Sequence, residues 1–313
     1  MGFLLAVGYV LSRRLTRRNR PDETRSPAEY GLAFEEVAFP ARDGLTLRGW
    51  WIPAPGSDRA VILLHGHGGS MDPDVQYVPA LHAAGFNVLM FDFRAHGRSD
   101  GHISTAGYLE RQDVLGAVDF VRAKGIERLG LLGFSMGGMV AMLTAPLCPH
   151  VQAVISDGGP ARLRTSLTVW GQERGVPRPL ADVLAWLTLV VTSLRLGANQ
   201  FRYEPVRWVG RIAPRPILFI HGDHDQYLPP ADFAALVAAA GPTAEVWRVP
   251  EAGHRTVDQL YPDEYRRRIV AFFDRHVGAH GRAPLHGRAP LHGHAPLGEM
   301  GDETPALVRS CLH

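Results

Sequence analysis

The sequence predicts an α/β protein with a mostly parallel central sheet, helices on both faces and one helical insertion. Short apolar runs typical of buried strands alternate with longer helical segments between residues 60 and 155, and such alternation favours a parallel sheet. Polar, glycine-rich stretches follow several of these runs, at the edge where open sheets place their ligands. With 313 residues, 46% of them hydrophobic, the chain can bury one large core.

The predicted elements follow one another in a regular order. Asp43-Gly44 is a strong turn signal and predicts a hairpin between strands at 34–39 and 45–51. The elements expected next alternate between strand and helix, and they are a strand at 60–64, a helix at 75–84, a strand at 87–91, a helix at 107–123, a strand at 129–132, a helix at 136–147 and a strand at 151–155. Two later strands, at 216–220 and 245–249, and a final helix at 263–276 complete the predicted domain.

The segment between the strands ending at 155 and beginning at 216 contains no obvious strand. We expect this insertion, about residues 158–214, to lie above the strand ends as a helical lid. It includes a long apolar helix at 180–196. A transmembrane span is disfavoured there, because Asp182 and Arg195 bracket an apolar run shorter than about twenty residues.

The apolar face of this long helix is a candidate substrate-binding surface. Trp186, Leu187 and Val190 belong to that face. They are predicted either to line an acyl pocket or touch a membrane, or simply to pack on the core. The sequence favours neither interpretation over the other.

Ser135 is the candidate nucleophile. It occupies the centre of Gly133-Phe134-Ser135-Met136-Gly137, between a predicted strand and a predicted helix. This context can hold a serine hydroxyl outward on a sharp turn. Because the bare pattern also occurs by chance in flexible turns, its partners decide whether it is catalytic.

The partners of such a serine are expected downstream in the order acid, then histidine. Asp225 lies in the polar loop after the strand at 216–220, and His254 lies between the last strand and the last helix. We therefore predict Asp225 as the acid and His254 as the base. Asp223 in the same loop and Asp157 at the end of the neighbouring strand remain alternatives for the acid.

An oxyanion hole requires two backbone N–H groups near the nucleophile. Met136, directly after the serine, is predicted to supply one of them. His67 is predicted to supply the other, because it lies in a glycine-rich loop after the strand at 60–64. That loop matches neither the dinucleotide-binding nor the P-loop fingerprint.

Five motifs, in this order, resemble those of α/β-hydrolases. They are His65-Gly66-His67-Gly68, Phe91-Asp92-Phe93-Arg94-Ala95-His96-Gly97-Arg98-Ser99, Gly133-Phe134-Ser135-Met136-Gly137-Gly138, His221-Gly222-Asp223-His224-Asp225 and Ala252-Gly253-His254. The chain is most similar to the lid-bearing serine hydrolases of the Bem46-like and monoacylglycerol-lipase-like type, over about residues 34–278. Ala95 stands where the family usually has glycine, which questions the geometry of that turn. In the family the loop at 92–99 is structural.

The resemblance implies the α/β-hydrolase fold and hydrolysis of carboxylic esters, including lipid-like acyl esters. The expected mechanism is acyl transfer through Ser135, with Asp225 and His254 completing a triad. Amide, peptide or thioester hydrolysis are alternatives within enzymes, and a non-catalytic membrane-associated scaffold is the alternative of another class. No metal and no organic cofactor is expected. Cys148 and Cys311 form neither a disulfide framework nor a metal-ligand cluster.

Charge gives no sign of a nucleic-acid partner. The chain carries 33 Lys and Arg against 31 Asp and Glu, a formal charge of +2, too nearly balanced for broad electrostatic binding. The expected partner is therefore a small-molecule or lipid ester. Nothing in the sequence sets an oligomeric state.

The N-terminal segment, residues 1–20, is a candidate membrane anchor. An apolar run at 2–11 precedes a basic stretch that includes Arg13 and Arg14, the reverse of the order in a secretory signal. This order predicts a cytoplasmic enzyme, anchored to the inner face of the membrane if the segment binds there. The run is about half of the length needed to span a bilayer. It would therefore lie at the interface or continue a longer segment, unless it is an amphipathic helix packed on the domain.

The last segment, residues 279–313, has the composition of a disordered tail. A six-residue unit beginning His280-Gly-Arg-Ala-Pro-Leu recurs at His286 and, with one change, at His292. Such a glycine- and proline-containing tract cannot pack much apolar area. Its histidines could hold a metal weakly, but repeat expansion explains them better.

Overall fold

A computed structural model describes residues 2–21 and 24–278 of the chain. The described part contains eight strands, all of which join one sheet. They are β1 (Glu35–Pro40), β2 (Thr46–Ile52), β3 (Arg59–Leu64), β4 (Asn87–Phe91), β5 (Arg128–Phe134), β6 (Val151–Asp157), β7 (Ile217–Gly222) and β8 (Ala244–Val249). The α-helices are α1 (Gly2–Leu15), α2 (Val78–Ala83), α3 (Glu110–Ala123), α4 (Met136–Thr144), α5 (Leu163–Gln172), α6 (Arg178–Leu196), α7 (Pro230–Ala240), α8 (Val257–Leu260) and α9 (Pro262–Val277). The predicted tail lies outside the described residues.

The sheet has the order β1-β2-β4-β3-β5-β6-β7-β8. The β1–β2 and β2–β4 pairs are antiparallel, and the other five pairs are parallel. The central strands are apolar on both faces, and every residue of β4 is buried, as expected of parallel strands covered on both sides. The predicted α/β class, with a mostly parallel sheet, is therefore confirmed.

Two apolar clusters fill the space between the sheet and its helices. On one face, side chains of α3, α4 and α7 pack on the sheet, as Val118, Val140 and Leu236 illustrate. On the other face, α2 and α9 cover it, with Leu81 and Phe273 among the buried side chains. This layering places the carboxyl ends of β3, β5, β6, β7 and β8 at one edge of the sheet, where the loops that follow them meet.

Helices α5 and α6 lie within the insertion between β6 and β7, which contains no strand, as predicted. α5 and α6 contact each other extensively, and α1 packs along α6. The close approach of α1 depends on Gly8, because a Cβ at that position would lie 2.8 Å from Leu187 Cγ. Thr192 Oγ1 also donates to Ser12 Oγ across this contact at 2.9 Å. The N-terminal helix thus forms a layer with the insertion.

The segment after α1 is tied to the domain by hydrogen bonds. The Ser104 N–H donates to the Thr16 carbonyl at 3.0 Å, and the Asn19 N–H donates to the Ala95 carbonyl at 2.8 Å. The Arg18 guanidinium donates to the carbonyls of Gly101 and Ser99. These contacts hold residues 16–19 against the turn that follows β4.

Helix α6 is also the one helix of the described chain with the length and apolar composition of a membrane span. About 39% of that stretch is buried within the protein. Helices α1 and α5 cover its buried side. Part of the apolar surface of α6 is therefore packed against other helices of the protein.

Candidate active site

Ser135 lies on a strained turn between β5 and α4. Its φ is +51° and its ψ is −113°, a conformation that costs a non-glycine residue about 1–3 kcal/mol. The Ser135 N–H donates to the Asp157 carbonyl at 2.8 Å, and the Ser135 carbonyl accepts from the Met139 N–H at 3.0 Å. These bonds hold the hydroxyl at the edge of the sheet.

Two glycines make this turn possible because their neighbours leave no room for a side chain. A Cβ at Gly133 would lie 2.4 Å from the Gly137 carbonyl oxygen, and a Cβ at Gly137 would lie 1.9 Å from the Leu64 carbonyl oxygen. The pattern around Ser135 therefore reflects close backbone contacts between β5, α4 and β3.

The structure brings Ser135, His254 and Asp225 together from three separate segments. His254 Nε2 lies 3.0 Å from Ser135 Oγ, and His254 Nδ1 lies 2.8 Å from Asp225 Oδ2. Asp225 is 2% exposed, and its Oδ1 accepts from the N–H groups of Tyr227 and Leu228 at 2.9 and 3.3 Å. A carboxylate can only accept, so the ring proton lies on Nδ1 and the Nε2 lone pair faces the Ser135 hydroxyl.

The two alternative acids are engaged elsewhere. Asp157 Oδ2 accepts from the Tyr265 hydroxyl at 2.7 Å and lies 3.7 Å from Arg255 Nε, and burial raises the pKa of its carboxyl. Asp223 pairs with Arg248 on the surface, and the hydrogen bond from that guanidinium lowers the pKa of Asp223. Among the three carboxylates, the contact to His254 belongs to Asp225.

The predicted oxyanion donors both lie beside the serine. Met136 begins α4, so its N–H has no carbonyl partner within the helix. His67 follows Gly66, whose Cβ, if present, would lie 3.6 Å from Ser135 Cβ. His67 also lines the same cavities as Ser135. The loop after β3 therefore passes within reach of a group bound at Ser135.

Two buried histidines hold the loop after β3 in place. His65 Nε2 accepts from the Phe93 N–H at 2.9 Å, so its Nδ1 donates to the Gly66 carbonyl at 2.7 Å. Burial lowers the pKa of His65 to about 3. His96 Nε2 accepts from the Gly68 N–H at 3.3 Å, and burial lowers its pKa as well. Both rings are neutral and link this loop to the turn after β4.

The turn after β4 forms although alanine stands where the family resemblance leads us to expect glycine. Ala95 has a φ of +59° and is fully buried. The left-handed conformation costs an L-residue about 1–2 kcal/mol, which the hydrogen bond from the Ala95 N–H to the Asp100 carbonyl at 2.9 Å helps to offset. The turn is stabilised further by Asp92, which accepts from the N–H groups of Met71 and Arg98 at 2.9 and 2.8 Å.

A cavity of about 520 Å³ opens beside Ser135 and His254. Its walls are mostly apolar, and they come from α1, α4, α5 and α6. Six of the apolar lining residues are Leu11, Leu15, Leu163, Leu167, Leu184 and Ala185. Its size and composition suit an extended apolar group.

The residues of α6 that line this cavity differ from those predicted. Ala181, Leu184, Ala185 and Thr188 face it. Of the predicted residues Trp186, Leu187 and Val190, none lines it: the Trp186 side chain is 48% exposed, and Leu187 packs on Gly8 of α1. The predicted residues lie on a different side of α6 from those that line the cavity. Because α6 is apolar on nearly every side, its hydrophobic periodicity does not show which side faces the site.

Sequence reasoning missed the wall formed by α1. Leu11, Arg14 and Leu15 line the cavity, although their segment was predicted to bind a membrane. One of the alternatives predicted for this segment was an amphipathic helix packed on the domain, and this is the position that α1 has. The i, i+4 spacing of Leu11 and Leu15 was the available signal. Tyr227 was also missed; its ring centroid lies 4.9 Å from that of His254.

A second cavity of about 430 Å³ meets the first at Ser135, His67 and His254. Its lining is more polar and includes Ser70, Asp74 and Arg255. Ser135 therefore lies between an apolar cavity and a more polar one.

The fold is that of the α/β-hydrolases, and the site resembles theirs. A family model described as the α/β-hydrolase fold matches residues 59–187. Two proteins with similar sequences extend the comparison, and a solved structure follows. The uncharacterized protein YfhR of Escherichia coli O157:H7 is 28% identical over 250 residues, which cover 76% of this chain and 80% of that protein. Protein bem46 of Schizosaccharomyces pombe is 22% identical and covers 86% of this chain and 88% of its own length.

Among solved structures, the Pyrococcus furiosus esterase Pf2001 superposes with a TM-score of 0.71. It is 26% identical and covers 84% of this chain and 99% of its own length. Most of this chain therefore has the same architecture as an esterase of known structure.

Proposed function

We propose that this protein is a serine hydrolase that cleaves carboxylic esters through an acyl-enzyme intermediate. The observation that carries the proposal is the continuous hydrogen-bonded chain from Ser135 through His254 to the buried Asp225. A histidine oriented in this way can act as a general base towards the serine hydroxyl. Similarity to an esterase supports the same reaction class.

In the proposed reaction, His254 Nε2 takes the proton of Ser135 as Oγ attacks the ester carbonyl. The N–H groups of His67 and Met136 stabilise the resulting oxyanion. His254 then protonates the departing alcohol, and the acyl group remains on Ser135. Water, activated by the same ring, attacks this acyl-enzyme and releases the acid.

The two cavities suggest how the substrate is divided. The large cavity suits an apolar chain, and the smaller polar cavity suits a hydrophilic leaving group or the attacking water. We therefore propose lipid-like acyl esters with medium or long chains as the substrate class.

Hydrolysis of p-nitrophenyl esters from acetyl to palmitoyl tests this function, with the Ser135→Ala variant assayed beside the parent. We expect serine-dependent turnover with its maximum at medium or long chains. A maximum at acetyl would contradict the chain-binding role of the large cavity. No turnover of any ester would contradict esterase activity, and amide and thioester analogues then test the remaining acyl-transfer reactions.

Substitution of Ala185 by phenylalanine is expected to shift the preference towards shorter chains. Ala185 lines the cavity and is 3% exposed, so the added ring occupies space that an acyl chain would use. We expect kcat/KM for the longest accepted ester to fall about tenfold or more relative to acetyl, because one or two excluded methylenes are worth about 1–3 kcal/mol.

The matched control is Val183→Phe on the same helix, because Val183 is 51% exposed. Its chain-length profile should equal that of the parent. If both variants keep the parent profile while remaining folded, the cavity beside Ala185 does not hold the chain.

We also propose that α1 and α6 contact a membrane surface that carries anionic lipids. Large apolar side chains are exposed on both helices, among them Leu5 and Val10 on α1 and Trp186 on α6. Arginines such as Arg13 and Arg20 lie on or next to α1 and are exposed. Exposed apolar side chains beside basic ones bind a membrane interface, and each side chain adds only a modest free energy of binding.

Co-sedimentation with vesicles that contain anionic phospholipid tests this contact. The Leu5→Ser and Val10→Ser double variant should bind more weakly by roughly tenfold, while Val246→Ser, an exposed valine on β8, should bind like the parent. Equal binding of all three proteins, or no binding by the parent, would refute the proposal.

A further inference from the structure

Two arginines face the large cavity although its walls are otherwise mostly apolar. Arg14 comes from α1 and Arg174 from the turn after α5, and both line the cavity together with Ser135. Both side chains are also exposed, so they lie where the cavity opens to solvent. Two segments that are distant in sequence thus deliver positive charge to one opening.

One tryptophan organises both guanidinium groups. The Arg174 guanidinium lies over the Trp170 ring, 3.8 Å from its centroid, and that of Arg14 lies 6.0 Å from it. Arg174 also donates to the Trp170 carbonyl at 2.9 Å. Stacking on an indole fixes the plane of a guanidinium and leaves its edge N–H groups free to bind an anion.

Arg14 and Arg174 differ from Arg94 and Arg98, which form short ion pairs, because no described carboxylate lies within 3.5 Å of either guanidinium. Arg94 pairs with Asp113 at 2.6 Å, and Arg98 pairs with Asp72 at 2.7 Å. Within residues 2–21 and 24–278, Arg14 forms no ion pair. Arg174 forms one ion pair with the residues that the structure describes, a long contact of 3.9 Å to Glu173.

Glu173 also contacts a second residue. Its carboxylate accepts from the Tyr227 hydroxyl, and it does not line the cavity. Glu173 therefore offsets part of the charge of Arg174, whereas Arg14 has no carboxylate partner among the described residues. The two guanidinium groups together bring a net positive charge to the solvent end of the cavity, and Ser135 lies at its other end.

We infer that the substrate is an ester whose apolar chain ends in an anionic group, and that Arg14 and Arg174 bind this group. The inference rests on the proposed ester hydrolysis and narrows its substrate class. The apolar chain occupies the cavity between Ser135 and Trp170. A terminal carboxylate or phosphate accepts charge-assisted hydrogen bonds from the two arginines. Arg14 and Arg174 are thus specificity-determining residues and take no part in bond cleavage.

Matched ester pairs test the inference. In the first pair, a p-nitrophenyl ester carries a medium-length acyl chain that ends in either a carboxylate or a carboxamide, which has the same shape without charge. In the second pair, the same two end groups close the alcohol chain of an acetate ester. All four compounds are monomeric in solution, so a preference among them cannot arise from binding to a lipid headgroup.

We expect one of the two pairs to show a kcat/KM about tenfold higher for the carboxylate, a typical value for a partly exposed charge-assisted contact. The preference should reside in KM and should decrease in high salt. It should fall to about one in the Arg14→Gln and Arg174→Gln double variant. Arg178→Gln is the matched control, because Arg178 is exposed, lies at the start of α6 and does not line the cavity.

No preference for the carboxylate in either pair, or a preference that persists in the double variant, would overturn the inference. Failure of the proposed function is distinguishable, because the carboxamide esters would then also remain uncleaved. Equilibrium binding of both pairs to Ser135→Ala provides the same comparison without turnover. Equal dissociation constants for carboxylate and carboxamide within both pairs would overturn the inference there too.

Discussion

Replacement of Ser135 by alanine is expected to lower kcat/KM for ester hydrolysis by at least about 10⁴-fold, because no other group can form the acyl-enzyme. The fold should be unaffected. The hydroxyl contacts His254 Nε2 at 3.0 Å, and alanine adopts the φ of +51° with the same cost as serine. Progress curves and thermal unfolding of both proteins measure the two expectations.

Ser156→Ala is the control for a general effect of removing a buried hydroxyl. Ser156 lies in β6, is 1% exposed, and its Oγ has no hydrogen-bond partner among the described residues. Its variant should retain parental activity. Comparable losses in both variants would point to a packing effect and against a nucleophilic Ser135.

Replacement of Asp225 by asparagine is expected to lower kcat/KM by about 10³–10⁴-fold through the wrong tautomer of His254. The Tyr227 and Leu228 N–H groups donate to Asp225 Oδ1, so the amide oxygen of asparagine will take that place. Its NH₂ group then faces His254 Nδ1, which must become an acceptor. The ring proton moves to Nε2, where it opposes removal of the Ser135 proton.

The control for this variant is Asp223→Asn, two residues away. Asp223 pairs with Arg248 at the surface, where solvent screens an ion pair so that it contributes little to stability. Its variant should keep parental kcat/KM. If the two variants exchange these results, Asp223 and not Asp225 orients the histidine.

The sheet was predictable because its strands are continuous apolar runs bounded by turn residues. The run predicted at 87–91 coincides with β4, and that at 60–64 differs from β3 by the single residue Arg59. Such runs are buried on both faces, so their composition alone distinguishes them from the surface helices around them.

The three residues Ser135, Asp225 and His254 were predictable because each follows a strand of a parallel sheet, and the carboxyl ends of such strands converge. Sequence could not decide between Asp225, Asp223 and Asp157, because all three follow strands at the same edge. The decision depends on the side-chain partners Arg248, Tyr265 and Arg255, which are distant in sequence.

The cavity walls were not predictable, since they depend on how helices pack. The α1 segment has the composition of an interfacial helix, and only its contact with α6 through Gly8 places Leu11 and Arg14 beside the site. Likewise, α6 carries few charged residues to mark an outer face. Ala185, and not Trp186, lines the cavity because of how α6 packs against other helices, which local periodicity does not show.

Labelling with a fluorophosphonate probe, followed by peptide mass spectrometry, tests most directly whether Ser135 is an activated nucleophile. We predict one adduct per chain, located on Ser135, and strongly reduced labelling of the Asp225→Asn variant. A folded protein that remains unlabelled, or one labelled at another serine, would contradict the proposed mechanism.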